Sequence, residues 1–131
     1  MTKQRPNPFP MPLHFDNAGM VDGKRLICIM RPFPVTTSIG CFTVHAGFLS
    51  DGASIPRLAQ AIVGSPFDEY LEQAVAHDWL YSKKSDRLMF DREEADFILK
   101  ELMWNCGLPL WKIAAFHAAV RLGGWASWKK R

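Results

Sequence analysis

The sequence has few cysteines, and they are not spaced for a disulfide framework or a metal–thiolate site. There are three, Cys28, Cys41 and Cys106, an odd number with no CxxC pair among them. Such usage is typical of a reducing compartment, where thiols stay unpaired. It argues against a small disulfide-stapled domain and against a zinc site built from cysteines.

The chain also lacks a long hydrophobic run and a strong charge of one sign. No apolar stretch approaches the roughly 20 residues that cross a bilayer as a helix, and the proline-broken start has no apolar signal region. The net charge is only +3 at pH 7, which is too small to indicate a nucleic-acid partner. We therefore expect no transmembrane segment, no signal peptide for secretion and no nucleic-acid partner.

The composition that remains is that of an ordinary globular protein. The 131 residues are 48% hydrophobic and 22% charged, which fits one domain with a modest core. Four prolines near the start exclude a helix there: Pro6, Pro8, Pro10 and Pro12. We therefore expect a proline-rich N-terminal arm over residues 1–15 and a single globular domain over residues 16–131. The arm is either disordered or laid along a partner subunit.

Residues typical of β-strands are concentrated in the first half of the chain. Residues 25–30 and 39–48 are short runs rich in β-branched and aromatic side chains. The segment between them carries Pro32 and Pro34, which indicates a loop or a sheet edge. We expect a small antiparallel sheet of two to four strands in this half.

Helical periodicity replaces this pattern in the second half. Residues 67–81 predict one helix and residues 91–106 a second, with Asp91 as its N-cap and Glu94 completing a capping box. Residues 109–122 predict a third. The predicted fold class is therefore α+β, with a small N-terminal antiparallel sheet followed by three main helices.

Polar side chains border the buried faces of the first two helices. His77 and Asp78 share helical rows with apolar residues, and so does Asp96 on the second helix. A short link makes these helices antiparallel neighbours, so Asp96 should meet His77. A carboxylate near a core needs a hydrogen bond, a counter-charge or a metal ion. We therefore expect a polar centre of His77, Tyr81 and Asp96, with Asp78 beside it.

A polar, glycine-containing loop precedes these helices. The segment GFLSDGASIPR spans residues 47–57 and opens a short predicted helix over residues 55–62. Such a loop exposes backbone N–H groups that bind an anion, or carbonyl oxygens that bind a cation. It is equally well explained as a structural turn. Four residues are the candidates for binding: Asp51, Gly52, Ser54 and Arg57.

The ordered series of motifs resembles a known family. GFLSDGASIPR, AHDWLY, REEADFIL and AVRLGGWASW follow one another within about residues 39–128. This series resembles domain-of-unknown-function family 1353, which is known from phages, prophages and bacteria; Ser50 stands where that loop often has threonine. The resemblance implies a phage or prophage origin, a location in the host cytoplasm or the virion, and other phage or host proteins as partners, in an oligomer or a particle.

A second likeness concerns the polar centre. HDxxY followed by an Ala–Asp pair on the next helix is similar to phospholipases of the A-two type, especially the compact viral ones. By that resemblance His77 is the general base that activates a water molecule, and Asp96 orients the His77 imidazole. Tyr81 would support Asp96, and Asp78 would hold calcium. The usual calcium loop is not visible just upstream, where residues 63–66 read VGSP.

Two functions remain open at this point. In the first, the polar centre locks two helices, and the protein is a phage or prophage accessory or virion-associated protein, in the tail or in assembly, that acts mainly through protein contacts. In the second, it is a small metal-assisted hydrolase, phospholipase-like or other, in which Asp78 holds a divalent metal such as calcium. A solvent-reached pocket at His77 would favour the hydrolase, and a sealed imidazole would favour the lock.

Overall fold

The chain folds as strands followed by helices, which confirms the α+β fold class. The computed structural model describes residues 7–21, 23–50, 70–82, 90–123 and 128. The strands in these ranges are β1 (Phe15–Val21), β2 (Lys24–Ile29), β3 (Phe33–Thr37), β4 (Gly40–Val44) and β5 (Leu49–Ser50). The helices are α1 (Leu71–Tyr81), α2 (Arg92–Asn105) and α3 (Leu110–Gly123).

The strands form two small antiparallel sheets, where the sequence predicted one sheet of two to four strands. One sheet has the order β1–β2–β5, and the other pairs β3 with β4. All seven residues of β1 are exposed. In the second sheet Phe33 lies opposite Val44, and Val35 lies opposite Phe42, and all four side chains are buried. The helices pack against this buried face of the sheet.

The proline-containing segment between the two predicted strands is itself a strand. Pro34 lies within β3, opposite Thr43 of β4. In a two-stranded sheet both strands are edges, and an edge tolerates a residue without an N–H donor. Of the two interpretations offered by the sequence, a loop or an edge, the structure therefore selects the edge.

The described part of the N-terminal arm contacts its own chain. Phe9 stacks on Phe33 with ring centroids 5.2 Å apart, and the carbonyl oxygen of Pro8 accepts a hydrogen bond from the Thr36 N–H at 2.9 Å. β1 then begins at Phe15. Contact of the arm with a partner subunit, and the division of the chain at residue 15, stay predictions.

Helix α2 begins and ends at its sequence signals. The Asp91 side chain accepts from the Glu94 N–H at 2.8 Å, and the Glu94 side chain accepts from the Asp91 N–H at 3.0 Å, a complete capping box. At the other end Gly107 has a φ of 83°, and the N–H groups of residues 107 and 108 donate to carbonyl oxygens of the last turn. This C-cap requires the left-handed conformation that glycine adopts without strain.

The other two helices also lie close to their predicted positions. α1 ends at Tyr81 as the periodicity predicts, and α3 is displaced by one residue from the predicted range 109–122. Residues 67–69 of the first predicted helix lie outside the described residues, as does the short predicted helix over residues 55–62. Within the described ranges, no helix has the length and apolar character needed to cross a membrane. All three cysteines are free thiols.

Two apolar clusters form the core, and α1 and α2 contribute to both. The larger one joins the strands to these two helices, with Ile27 and Trp79 among its members. The smaller one joins them to α3, with Leu99 and Phe116 among its members. Because both clusters are close-packed around α1 and α2, polar side chains on these helices lie in a largely apolar interior.

Candidate functional site

The two side chains expected to form the centre face one another. Nε2 of His77, near the end of α1, lies 2.7 Å from Oδ1 of Asp96, near the start of α2. Neither side chain has any exposed surface. The geometric prediction from helical rows and a short link is therefore confirmed. The catalytic roles assigned to these residues stay predictions.

Tyr81 contacts the same carboxylate oxygen. Its hydroxyl group donates to Oδ1 of Asp96 at 2.5 Å, and its ring centroid lies 4.3 Å from that of His77, one helical turn away. Oδ1 therefore accepts two hydrogen bonds from α1. The Trp128 ring contacts the Tyr81 ring edge-to-face, with 5.2 Å between ring centroids.

Two arginines that the sequence reasoning left out of the site complete it. Nη1 of Arg121, on α3, donates to Oδ2 of Asp96 at 2.9 Å. Nε of Arg92 lies 4.0 Å from the same oxygen and donates to the Tyr81 hydroxyl at 3.2 Å. A signal for both was present, because Arg92 precedes Asp96 by one helical turn and Arg121 belongs to the AVRLGG motif.

Arg92 also binds the end of α3. Its Nη2 donates to the carbonyl oxygens of Val120 and Arg121, each at 2.8 Å. Carbonyl groups in the last turn of a helix have no intrahelical donor, and the negative end of the helix dipole favours a cation there. One guanidinium therefore joins the start of α2 to the end of α3 and to Tyr81.

The hydrogen bonds at Asp96 determine its charge state. Burial alone would raise the pKa of the Asp96 carboxyl group, but the bonds from His77, Tyr81 and Arg121 outweigh burial and lower that pKa below its usual value. Burial, reinforced by the Asp96 carboxylate, raises the pKa of the Tyr81 phenol well above its usual value. The centre is therefore an ionised carboxylate held by a neutral phenol, an imidazole and guanidinium groups.

Asp78 and the loop candidates were predicted to supply metal or anion ligands. The Asp78 side chain is 3% exposed. Four loop candidates lie outside the described residues: Asp51, Gly52, Ser54 and Arg57. In the part of the chain that the structure describes, no group of three or more His, Cys, Asp or Glu side chains is arranged to hold a metal ion. Calcium takes six to eight oxygens, so the Asp78 carboxylate alone could not complete a calcium site.

The arrangement has two chemical capacities. A carboxylate that accepts from Nε2 fixes the tautomer and orientation of the imidazole, as the orienting carboxylate of a general base does. The same contacts also hold three helices together through one anion. The imidazole of His77 has no exposed surface, so in this conformation substrate does not reach it.

Comparisons with known proteins identify a family but no activity. A family model described as "Protein of unknown function (DUF1353)" matches residues 27–120, a range that contains His77, Tyr81, Arg92 and Asp96. "Uncharacterized protein y4iH" of Sinorhizobium fredii (strain NBRC 101917 / NGR234) is 38% identical over 72 residues, which cover 54% of this chain and 28% of that protein. The match thus spans little more than a quarter of that relative's length. No solved structure matches.

Proposed function

We propose a function for this chain, which belongs to the DUF1353 family of proteins of unknown function: it acts mainly through contacts with other proteins, as an accessory or virion-associated component of a phage or prophage. In this proposal the His77–Asp96 centre is a structural lock. The phage setting is supported by the motif series that runs from the loop at residues 47–57 to Trp128.

One observation carries the structural role of the centre. Asp96 accepts from His77 and Tyr81 on α1 and from Arg121 on α3, while itself lying on α2 with no exposed surface. Separating a buried carboxylate from several donors costs free energy, because each donor loses a charge-assisted hydrogen bond. The centre therefore fixes the relative positions of three helices and so the shape of the surface they present.

The accessibility of His77 in solution tests this role. Diethyl pyrocarbonate is applied to the folded protein, and modified histidines are located by peptide mass spectrometry. His45, which is exposed, serves as the internal control. We expect His45 to react while His77 stays unmodified until the chain unfolds. Modification of His77 at the rate of His45 in the folded protein would contradict a sealed lock.

The contact role is tested separately, in particles. Phage particles induced from a lysogen that carries the gene are purified and analysed by quantitative mass spectrometry, with a deletion of the gene as the control. We expect the protein at a fixed copy number per particle, or a block in tail or head assembly in the deletion. Intact, infectious particles that contain none of the protein and form normally without it would overturn the contact role.

The alternative, a small metal-assisted hydrolase, is favoured by one specific observation. His77 Nε2 and the Tyr81 hydroxyl group both contact Oδ1 of Asp96, as the likeness to A-two phospholipases implies. In that role His77 would accept a proton from water while Asp96 orients it, and the core would have to open for substrate. Asp78 would hold the metal, which would supply an electrophile for the developing oxyanion.

Phospholipid vesicles test the alternative directly. Fatty-acid release is measured with the parent and with His77→Gln, each with calcium and with a chelator. Release that requires both His77 and calcium would favour the hydrolase, and absence of release from the folded parent would favour the lock. Thermal melting of Asp78→Asn with and without calcium is the companion measurement, because a ligand that binds the native state raises its stability.

A further inference from the structure

β1 is an edge of the sheet β1–β2–β5, and among the described residues no strand pairs with its outer side. Its side chains are exposed on both faces, and Met20 is 66%, Val21 52% and Phe15 42% exposed. Its sequence, FDNAGMV, contains no proline, lysine or arginine, although the chain has 9 prolines and 16 lysines and arginines. Edge strands of monomers are commonly protected by such residues or by a covering element. The edge of β1 is therefore open to another strand.

The pairing with β2 shows which main-chain groups of β1 face this open edge. Ile29 of β2 bonds through its N–H and its C=O to main-chain groups just before β5, on the side away from β1. Main-chain groups alternate in direction along a strand, so residues 25 and 27 also turn away from β1. Opposite these three positions lie Met20, Asn17 and Phe15. The N–H and C=O groups of these three residues therefore point outward.

A β-bulge brings Phe15 and Met20 onto the same face of the sheet. In a regular strand, residues five positions apart point to opposite faces. Here the pairing with β2 shifts by one residue between Asn17 and Gly19, so Phe15 and Met20 both share the face of the buried Ile27. β1 therefore carries an apolar side chain near each end, on one face, and both residues turn their main-chain groups outward.

We propose that β1 pairs antiparallel with β1 of a second copy of this chain, in the register that places Phe15 opposite Met20 of the second copy. A two-fold axis generates this pair twice, and in each pair both residues turn their main-chain groups toward one another. The two side chains also lie on the same face, where an aromatic and an apolar residue stabilise a strand pair. The three-stranded sheet then continues across the axis into that of the second copy.

The charge of β1 is also compatible with a copy of itself in this register. Asp16 is the only charged residue among residues 15–21. It lies opposite Gly19 of the second copy, which has no side chain, and the two Asp16 carboxylates are not neighbours. Like charges directly opposite one another would destabilise the pair. The pairing requires neither the phage setting nor the His77–Asp96 centre, so it is independent of the proposed function.

Sedimentation equilibrium measures the dimer. We expect the parent to pass from monomer to dimer as its concentration rises, with amide exchange at residues 15–21 slowing over the same range. Met20→Lys places a lysine at the edge of both copies and should weaken dimerisation by at least about tenfold. Leu49→Lys is the matched control, because Leu49 is 51% exposed on β5, at the other edge of the same sheet. A parent that stays monomeric at its highest soluble concentration, or equal effects of the two variants, would overturn the proposal.

Mixing two charged variants tests the register. Phe15→Glu and Met20→Lys each place a charge opposite an apolar residue, so each alone should dimerise weakly. In an equimolar mixture the new carboxylate at position 15 lies opposite the new ammonium group at position 20. We expect the mixed dimer to be about fivefold tighter than either variant alone, the scale of one exposed ion pair. Urea midpoints equal to that of the parent show that both variants are folded. No gain in affinity on mixing the folded variants would overturn the assigned register.

Discussion

Arg92 and Arg121 are linked from side chain to backbone: Nη2 of Arg92 donates to the carbonyl oxygen of Arg121 at 2.8 Å. The Arg121 side chain in turn reaches back to Asp96 on the helix that Arg92 begins. The start of α2 and the end of α3 are therefore joined twice, once by a side chain from each helix. A guanidinium suits this role because its planar array of donors serves several acceptors at once.

The first prediction concerns the carboxylate itself. Asp96→Asn keeps the shape but removes the charge, and it places an amide donor among groups that already donate. We expect a loss of about 3 kcal/mol in the free energy of unfolding, measured by urea denaturation, since removing one partner of a buried pair leaves the others unsatisfied. Glu93→Gln, an exposed change in the same helix, is the control and should stay within about 0.5 kcal/mol.

The second prediction is the response to acid. The folded-state pKa of Asp96 is lowered. As the pH falls, the unfolded chain therefore takes up the proton first, near the ordinary aspartate pKa of about 3.9. The stabilisation is therefore present above about pH 4 and is lost as the pH falls through the folded-state value. Urea midpoints between pH 6 and pH 3 should fall more steeply for the parent than for Asp96→Asn. Parallel curves would contradict this.

The third prediction is the response to alkali. The folded-state pKa of the Tyr81 phenol is raised, so as the pH rises the unfolded chain loses its proton first, near its ordinary value of about 10. The stabilisation is present below about pH 10 and is lost as the pH rises through the folded-state value.

Tyr81→Phe separates this ionisation from the hydrogen bond. The variant should lose about 1–2 kcal/mol at pH 7, because the Tyr81 hydroxyl no longer donates to Asp96. It should also lack the Tyr81 part of the alkaline fall in stability. The measurement is urea denaturation between pH 7 and pH 11, together with the phenolate absorbance of the folded parent. Phenolate formation from Tyr81 near pH 10 in the folded parent would contradict the buried donor.

The fourth prediction concerns the start of α2. Asp91→Ala removes the side chain that accepts from the Glu94 N–H and should cost about 1 kcal/mol in unfolding free energy. Glu93→Ala, in the same exposed turn but outside the capping box, should cost only a few tenths. Equal effects of the two variants would show that the capping geometry contributes nothing beyond negative charge.

The parts of the fold with strong local signals could be predicted from the sequence. The bounds of α2 are carried by a capping box at one end and a glycine at the other, both of which act within one turn. The pairing of His77 with Asp96 followed from helical rows and a short link, which leave few ways for two helices to meet. These signals come from residues close together in the sequence, so they can be recognised without knowing the tertiary structure.

The other features could not be predicted, because they depend on irregular strands and on contacts between elements that residue spacing in the sequence does not reveal. β1 reads FDNAGMV, with an asparagine, an alanine and a glycine where strands favour β-branched residues, and its register shifts between Asn17 and Gly19. Its wholly exposed side chains give no alternation to detect. The contact of Arg121 with Asp96 depends on how α3 crosses α2, which the sequence of either helix does not reveal.

The full exposure of β1 has a consequence for how the protein opens. The strand is held to β2 by main-chain hydrogen bonds and contributes no buried side chain to the core. Its detachment would leave the sealed carboxylate and the three helices around it untouched. Amide protons of residues 15–21 in the monomer should therefore exchange with deuterium quickly, through local detachment of β1. Those of α1, which carries His77, should exchange slowly, through global unfolding only.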